Sequence, residues 1–301
     1  PAARSTEHQL GSWLMTTETK QFAANYPRDE NGWILFPRDI EYRRTLFPNP
    51  KLNSVHDVFQ HPAKMQLYLV ESLVDYLTEP GDWILDPFGG TGSTAIAATK
   101  GRHVVLIDCE QEFGEIIKES CKTLIPGGVP FQPPNAPWQW LAPNDQLGSI
   151  RLYIGDNRQV LRRMAQEQHS PIKCVITSPP YSTALKNAGR LQATMREEYA
   201  HSSLNMGNLN PFYWEHAMRE LWVEIAKVMA PGGKVAMINK DMMRSGGREL
   251  LSLALIRHAE PMFKYTEWFK WSTPGTNRTR AMLKKGADAV LDEDIIIFER
   301  V

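Results

Sequence analysis

The sequence predicts an α/β fold: a mostly parallel sheet with helices on both faces and an antiparallel final strand. Three observations carry that prediction. Short β-branched apolar runs ("WILD", "HVVLID", "IRLYI", "IKCVIT", "KVAMIN") recur with room for a helix between successive members. The stretches between them have helical period or small-residue composition, so strand and helix alternate, which implies right-handed crossovers between parallel neighbours. The closing runs "MFKYTEWFKW" and "DIIIFERV" are joined by a basic loop without room for a helix, so the last strand runs antiparallel.

The elements follow in order. Residues 1–60 have prolines too closely spaced for long helices and a possible short strand at 33–36; they read as an extension packed on the core through Trp33, Phe36, Tyr42 and Phe47. A partner contact through Arg38, Arg43 and Arg44 is the alternative reading of that segment. A single domain, 61–301, follows, and its first helix carries Met65, Leu69, Leu73, Val74 and Leu77 at helical spacing behind Pro62. Strand "WILD" runs into "PFGGTGSTAIAATKG", a glycine turn and a small-residue helix, then strand "HVVLIDCE" and helix "EFGEIIKESCKTL". Residues 126–149, rich in proline and glycine, read as an insertion loop in which Trp138 and Trp140 are packed. Strand "IRLYIGD", helix "NRQVLRRMAQ" and strand "IKCVITSPP" come next, then a polar loop over 182–210. The amphipathic run "FYWEHAMRELWVEIAKVM" stops at "APGG", and a last helix covers about 248–258.

Bulk properties exclude several classes. With 34 basic and 34 acidic residues the net charge is zero, so any nucleic-acid surface must be local. Cys109, Cys121 and Cys174 show no metal-site spacing and read as reduced, packed thiols; no metal site is expected. No apolar run approaches a membrane span, and a cytoplasmic setting is expected.

The glycine loop "DPFGGTGST" lacks the Gly-Lys-Ser/Thr of a P-loop, so a tight turn bringing backbone close to a ligand is its reading. Asp86, Asp108 and Asp156 end successive strands, the rim where open α/β sheets bind ligands. Carboxylates repel a pyrophosphate but suit ribose hydroxyls, an ammonium and a sulfonium, which S-adenosylmethionine combines. Taken singly, each acid could equally be a helix N-cap. "TSPPY" ends the fourth strand with two prolines, a rigid corner.

Together these motifs resemble the amino-group DNA methyltransferases, which methylate cytosine N4 or adenine N6. The family's F-x-G-x-G signature matches Phe88, Gly90 and Gly92, and its (S/D/N)-P-P-(Y/F/W) motif matches Ser178, Pro179, Pro180 and Tyr181. "HPAKMQLYLVESLV" is similar to the family's helix before the glycine loop, with Met65 where a second proline is usual. The resemblance covers roughly 59–301 and implies a Rossmann-like methyltransferase fold, S-adenosylmethionine as cofactor, DNA as substrate, and a bacterial, archaeal or phage setting. It implies a cofactor pocket drawn from His61, Lys64, Asp86, Pro87, Phe88, Gly90, Gly92, Ser93, Thr94, Asp108, Cys109, Asp156, Asn157 and Thr177.

By the same resemblance, the Ser178 side chain and the Pro179 carbonyl would accept the hydrogens of a base's amino group, freeing its lone pair for the sulfonium methyl. Tyr181 would stack on a base extruded from the duplex. Serine before the prolines leans towards cytosine N4; adenine N6 is the alternative, followed by an RNA or protein-glutamine methyltransferase and a non-catalytic subunit. No large recognition segment separates the two motifs or follows the second, which leaves loops as readers. Candidate DNA contacts are Lys186, Arg190 and Arg196 after the corner, and Lys270, Arg278, Arg280, Lys284 and Lys285 near the end.

Overall fold

The computed structural model describes residues 20–47, 64–167, 169, 171–180, 202–244, 247–273 and 290–301. The strands in chain order are β1 (Trp83–Asp86), β2 (His103–Asp108), β3 (Val129–Phe131), β4 (Trp138–Leu141), β5 (Ile150–Ile154), β6 (Ile172–Thr177), β7 (Met229–Asn239), β8 (Met242–Arg244), β9 (Gly247–Glu249), β10 (Phe263–Ser272) and β11 (Asp292–Arg300). The helices are α1 (Ile40–Leu46), α2 (Leu67–Leu77), α3 (Gln111–Leu124), α4 (Asn157–Gln166), α5 (Pro211–Val228) and α6 (Leu251–Ala259), with 3-10 helices at Ser93–Lys100 and Met206–Asn208.

The main sheet has the order β10-β11-β7-β6-β1-β2-β5-β4-β3. Its centre, β7-β6-β1-β2-β5, is parallel throughout, and both flanks are antiparallel. The expected antiparallel final strand is therefore present, paired with β7 from Asp294↔Asn239 to Glu299↔Lys234. The central strands are apolar on both faces because helices cover both. Ile84, Val104, Leu106, Cys174 and Ile176 face one core cluster, while Leu85, Val105, Ile107 and Val175 face the other.

Chain progression sets the location of a crevice. From β1 the chain moves outward through β2 to β5, then returns to lay β6 on the opposite side of β1. The switch point lies between β1 and β6, and open α/β sheets bind ligands outside the carboxyl ends at such a point.

Three local expectations are refined. Residues 126–149 are not loop alone, because β3 and β4 form an antiparallel hairpin that extends the sheet beyond β5. Proline was a misleading signal there: Pro130 sits in the terminal edge strand, where a missing N–H is tolerated. Trp140 is buried and donates to the Ile125 carbonyl at 3.2 Å, anchoring the hairpin. Next, α5 passes directly into β7, whose glycines lie inside the strand; Gly232 has φ +71° and the register against β6 shifts between Ile172 and Cys174. Finally, the short strand at 33–36 reduces to bridges from Ile34 to Arg28 and Trp271, and the segment after it forms α1. Phe22, Ile34 and Phe47 of this N-terminal segment are buried in the cluster that holds Ile84 and Leu106.

Candidate active site

At the end of β1 the Asp86 side chain is fully buried. One carboxylate oxygen accepts from the Thr94 hydroxyl at 2.6 Å, and the other accepts from the Thr177 hydroxyl at 2.7 Å and the Phe88 N–H at 3.1 Å. Thr94 belongs to the glycine loop, whereas Thr177 is the last residue of β6, directly before Ser178. Asp86 therefore ties the two motif corners together across the switch point. Burial pushes its carboxyl up, with the three donors acting in the opposite direction.

The glycine loop is shaped by its neighbours. Gly92 has φ +84° and caps the 3-10 helix, and a Cβ there would sit 2.9 Å from Ile117, so only glycine fits. The Gly90 N–H donates to Asp108 at 2.7 Å, and the second Asp108 oxygen accepts from the Glu110 N–H at 2.8 Å. Desolvation raises the Asp108 carboxyl to about 7, helped by the charges of Glu110 and Asp86 and opposed by the two backbone donors. Glu110 is buried and accepts from the Ser202 N–H with both oxygens at 3.1 Å, and from the Asn205 amide at 3.0 Å. Among the described residues no cation pairs with Asp86, Asp108 or Glu110; every donor to them is neutral.

The other predicted pocket residues divide. Asn157 bridges to the loop, donating to the Pro87 carbonyl at 3.0 Å. Asp156 caps α4 through the Arg158 N–H at 2.9 Å and is ion-paired with the Arg158 guanidinium at 2.7 Å. Although burial opposes it, this pairing holds the Asp156 carboxyl below the ordinary range. Unlike the other two strand-end acids, Asp156 is thus internally satisfied. Cys109 lies between Asp108 and Glu110, and desolvation with those two charges pushes its thiol up to about 12. Ser93 is buried and accepts from Arg43 at 3.0 Å; Lys64 stands just before α2.

In the sequence reading Trp214 had no site role, and Arg43 figured only in the alternative of a partner or substrate contact. Arg43, 1% exposed, binds Asp39, Ser93 and the Met65 carbonyl, so the N-terminal segment buttresses the glycine loop. Its burial excludes the alternative in which Arg43 meets a partner on the surface. Trp214, in the first turns of α5, donates its indole N–H to the Pro180 carbonyl at 2.7 Å. No sequence signal marks either residue, since each acts on a segment more than 30 positions away.

Of the motif corner, Ser178 is half-buried and Pro179 buried, at the carboxyl end of β6. Tyr181 lies outside the described residues, as do His61, Lys186, Arg190, Arg196, Arg278, Arg280, Lys284 and Lys285. Lys270, the described member of the basic candidates, does not face solvent as a DNA contact would. Its ammonium is ion-paired with Asp292 and, at 2.6 Å, with Asp294, two buried acids that draw it inward. Among the described residues no group of three His, Cys, Asp or Glu side chains is assembled for a metal, and no helix is long and apolar enough to cross a membrane.

The sequence of this rim matches a known family. Residues 12–119 fit the family model described as DNA methylase, of the N6/N4 class. The match spans just over a third of this chain. Along the chain, 61 residues are 39% identical to the type II methyltransferase M2.DpnII of Streptococcus pneumoniae, over 20% of this chain and 23% of that protein. A similar match, 38% over 61 residues, joins it to M2.LlaDCHI of Lactococcus lactis subsp. cremoris, again over 20% and 23%. The chain therefore matches about a quarter of the length of these relatives. Among solved structures, TrmN from Thermus thermophilus is 14% identical with a TM-score of 0.46, covering 80% of this chain and 50% of that one. The fold assignment of this chain rests on its own strand order.

Proposed function

We propose that the chain is an S-adenosylmethionine-dependent DNA methyltransferase acting on an exocyclic amino group, with cytosine N4 favoured. The observation that carries this reading is the pair of bonds from Thr94 and Thr177 to Asp86, which unites the glycine loop and the Ser-Pro-Pro corner at one rim.

The residues at that rim fit the cofactor. Asp108 would hold ribose hydroxyls, and the glycine loop, with a buried Thr91 hydroxyl that has no partner among the described residues, would receive the amino-acid end. Asp86 and Asp108, which have no cationic partner among the described residues, suit a sulfonium and an ammonium better than an anionic ligand. When bound, the cofactor supplies an electrophilic methyl group. Ser178 and the Pro179 carbonyl would accept the two amino hydrogens of the base and orient its lone pair, the prolines holding the bend at low entropic cost. Tyr181 would stack on the extruded base. Phe212 and Tyr213, 74% and 60% exposed on the first turn of α5, meet edge to face at 5.4 Å, directly before Trp214 in the chain, and would stack on neighbouring bases. Serine in the motif supports cytosine N4 over adenine N6.

The test is transfer of a labelled methyl group from S-adenosylmethionine to duplex DNA, with digestion to nucleosides. N4-methylcytosine is the expected product. N6-methyladenine would move the assignment to the other base, and no transfer to any DNA would reject the reading.

A further inference from the structure

Resting on that reading, we propose that Glu110 and Trp214 are positioning residues that clamp the Ser-Pro-Pro bend by holding the segment between them, residues 202–214, against both the cofactor rim and the bend. Trp214 captures the Pro180 carbonyl at 2.7 Å, which sets the direction in which the chain leaves the bend. The Trp214 side chain is only 4% exposed, and α5 is packed into the core through Met218, Leu221 and Trp222, so the indole is a fixed donor. Upstream, Glu110 grips Ser202 and Asn205 with three hydrogen bonds of 3.0–3.1 Å.

The span between the two grips is itself stiff. The Asn205 side chain accepts from the Gly207 N–H at 2.9 Å, and the Asn210 side chain caps α5 through the Tyr213 N–H at 3.1 Å. Because the Glu110 N–H also bonds Asp108, the clamp begins on the acid assigned to the ribose. A set of bonds along this segment thus links the cofactor rim to the bend, in addition to the Asp86–Thr177 contact. A buried carboxylate that accepts from three donors satisfies them away from water, and removing its acceptors leaves those donors unpaired.

The test uses the 301-residue chain and the variants E110Q, N205A, W214F and E110Q/W214F. Each clamp variant is expected to lower kcat by about tenfold or more while the cofactor KM stays within about threefold, the split of a residue acting on the transition state. The double variant is expected to be little worse than the poorer single one, because both break one linkage. Hydrogen exchange at amides 202–210 should quicken in E110Q and N205A. Unchanged kcat in the folded variants, or effects of E110Q and W214F that multiply, would overturn the clamp. E110Q and N205A leave the packing of α5 intact and decide the matter if W214F fails to fold. A wild-type chain without methyl transfer would reject the proposed function alone. The exchange measurement still decides the clamp, and unchanged protection at 202–210 would sink it.

Discussion

Two acid-rich rims of the same sheet make an instructive contrast. At the ends of β1 and β2, Asp86, Asp108 and Glu110 are bonded solely to neutral donors among the described residues. Beside β7 and β11, Asp241, Asp292 and Asp294 are matched by Arg248 and Lys270 within 3 Å. The partner ions there hold Asp292 below the ordinary carboxylate range despite its burial, whereas burial raises Asp86 and Asp108. Buried charge left without a counter-ion is costly unless something else brings one. The first rim leaves its acids without a counter-ion among the described residues, and the second supplies its own.

The contrast yields ordered tests. The largest effect is expected from Ser178→Ala, which should cut methyl transfer by about 100-fold or more while cofactor binding by calorimetry survives. Normal turnover in that variant would dissolve the catalytic assignment of the first rim. Lys270→Met should instead cost stability, about 3 kcal/mol, by taking the ion partner from Asp294 and leaving Asp292 to Arg248, and leave cofactor affinity unchanged in the folded protein. A loss of affinity without a change in melting temperature would erase the distinction between the rims.

A smaller effect comes from pH. The Asp108 carboxyl is raised to about 7 by burial, with Glu110 and Asp86 adding to it. In the native state it stays protonated while the unfolded chain ionises near pH 4, so its contribution to stability is full below that pH and falls until about pH 7. Cofactor binding has the opposite trend, because the ionised form offers more acceptors. Affinity should rise by roughly tenfold from pH 6 to pH 8, and Asp108→Asn should flatten that profile. The smallest expected change is for Phe212→Ala with Tyr213→Ala: the KM for DNA should rise by about three- to tenfold without loss of thermal stability. An unchanged DNA KM would remove these rings from the proposed DNA surface.

Much of the fold was legible because its signals are local. β-branched runs mark the central strands, and the glycines and prolines mark where those strands end. The insertion at 126–149 was less legible, since Pro130 reads as a break when position at the sheet edge is unknown. Within the site, the motif residues announced themselves, but the three strand-end acids looked alike. Arg158 separates Asp156 from Asp86 and Asp108: its backbone N–H makes that acid a cap and its guanidinium pairs it, whereas the other two meet neutral donors alone among the described residues. Lys270 misled for the same reason: a lysine in a basic run gives no sign of the buried acids it will meet across the β10–β11 pairing.

The sequence by itself determined the alternation of elements and the two motif corners, because periodicity, glycine conformation and proline restriction act over a few neighbouring residues. Only the tertiary structure decided that Asp86 joins those corners, that Arg43 supports the glycine loop, and that Trp214 and Glu110 flank the bend. Those pairings span from 34 to 92 positions. They are set by the order in which strands are laid beside β1, and hydrogen-bond partners at such separations follow from packing rather than from local pattern.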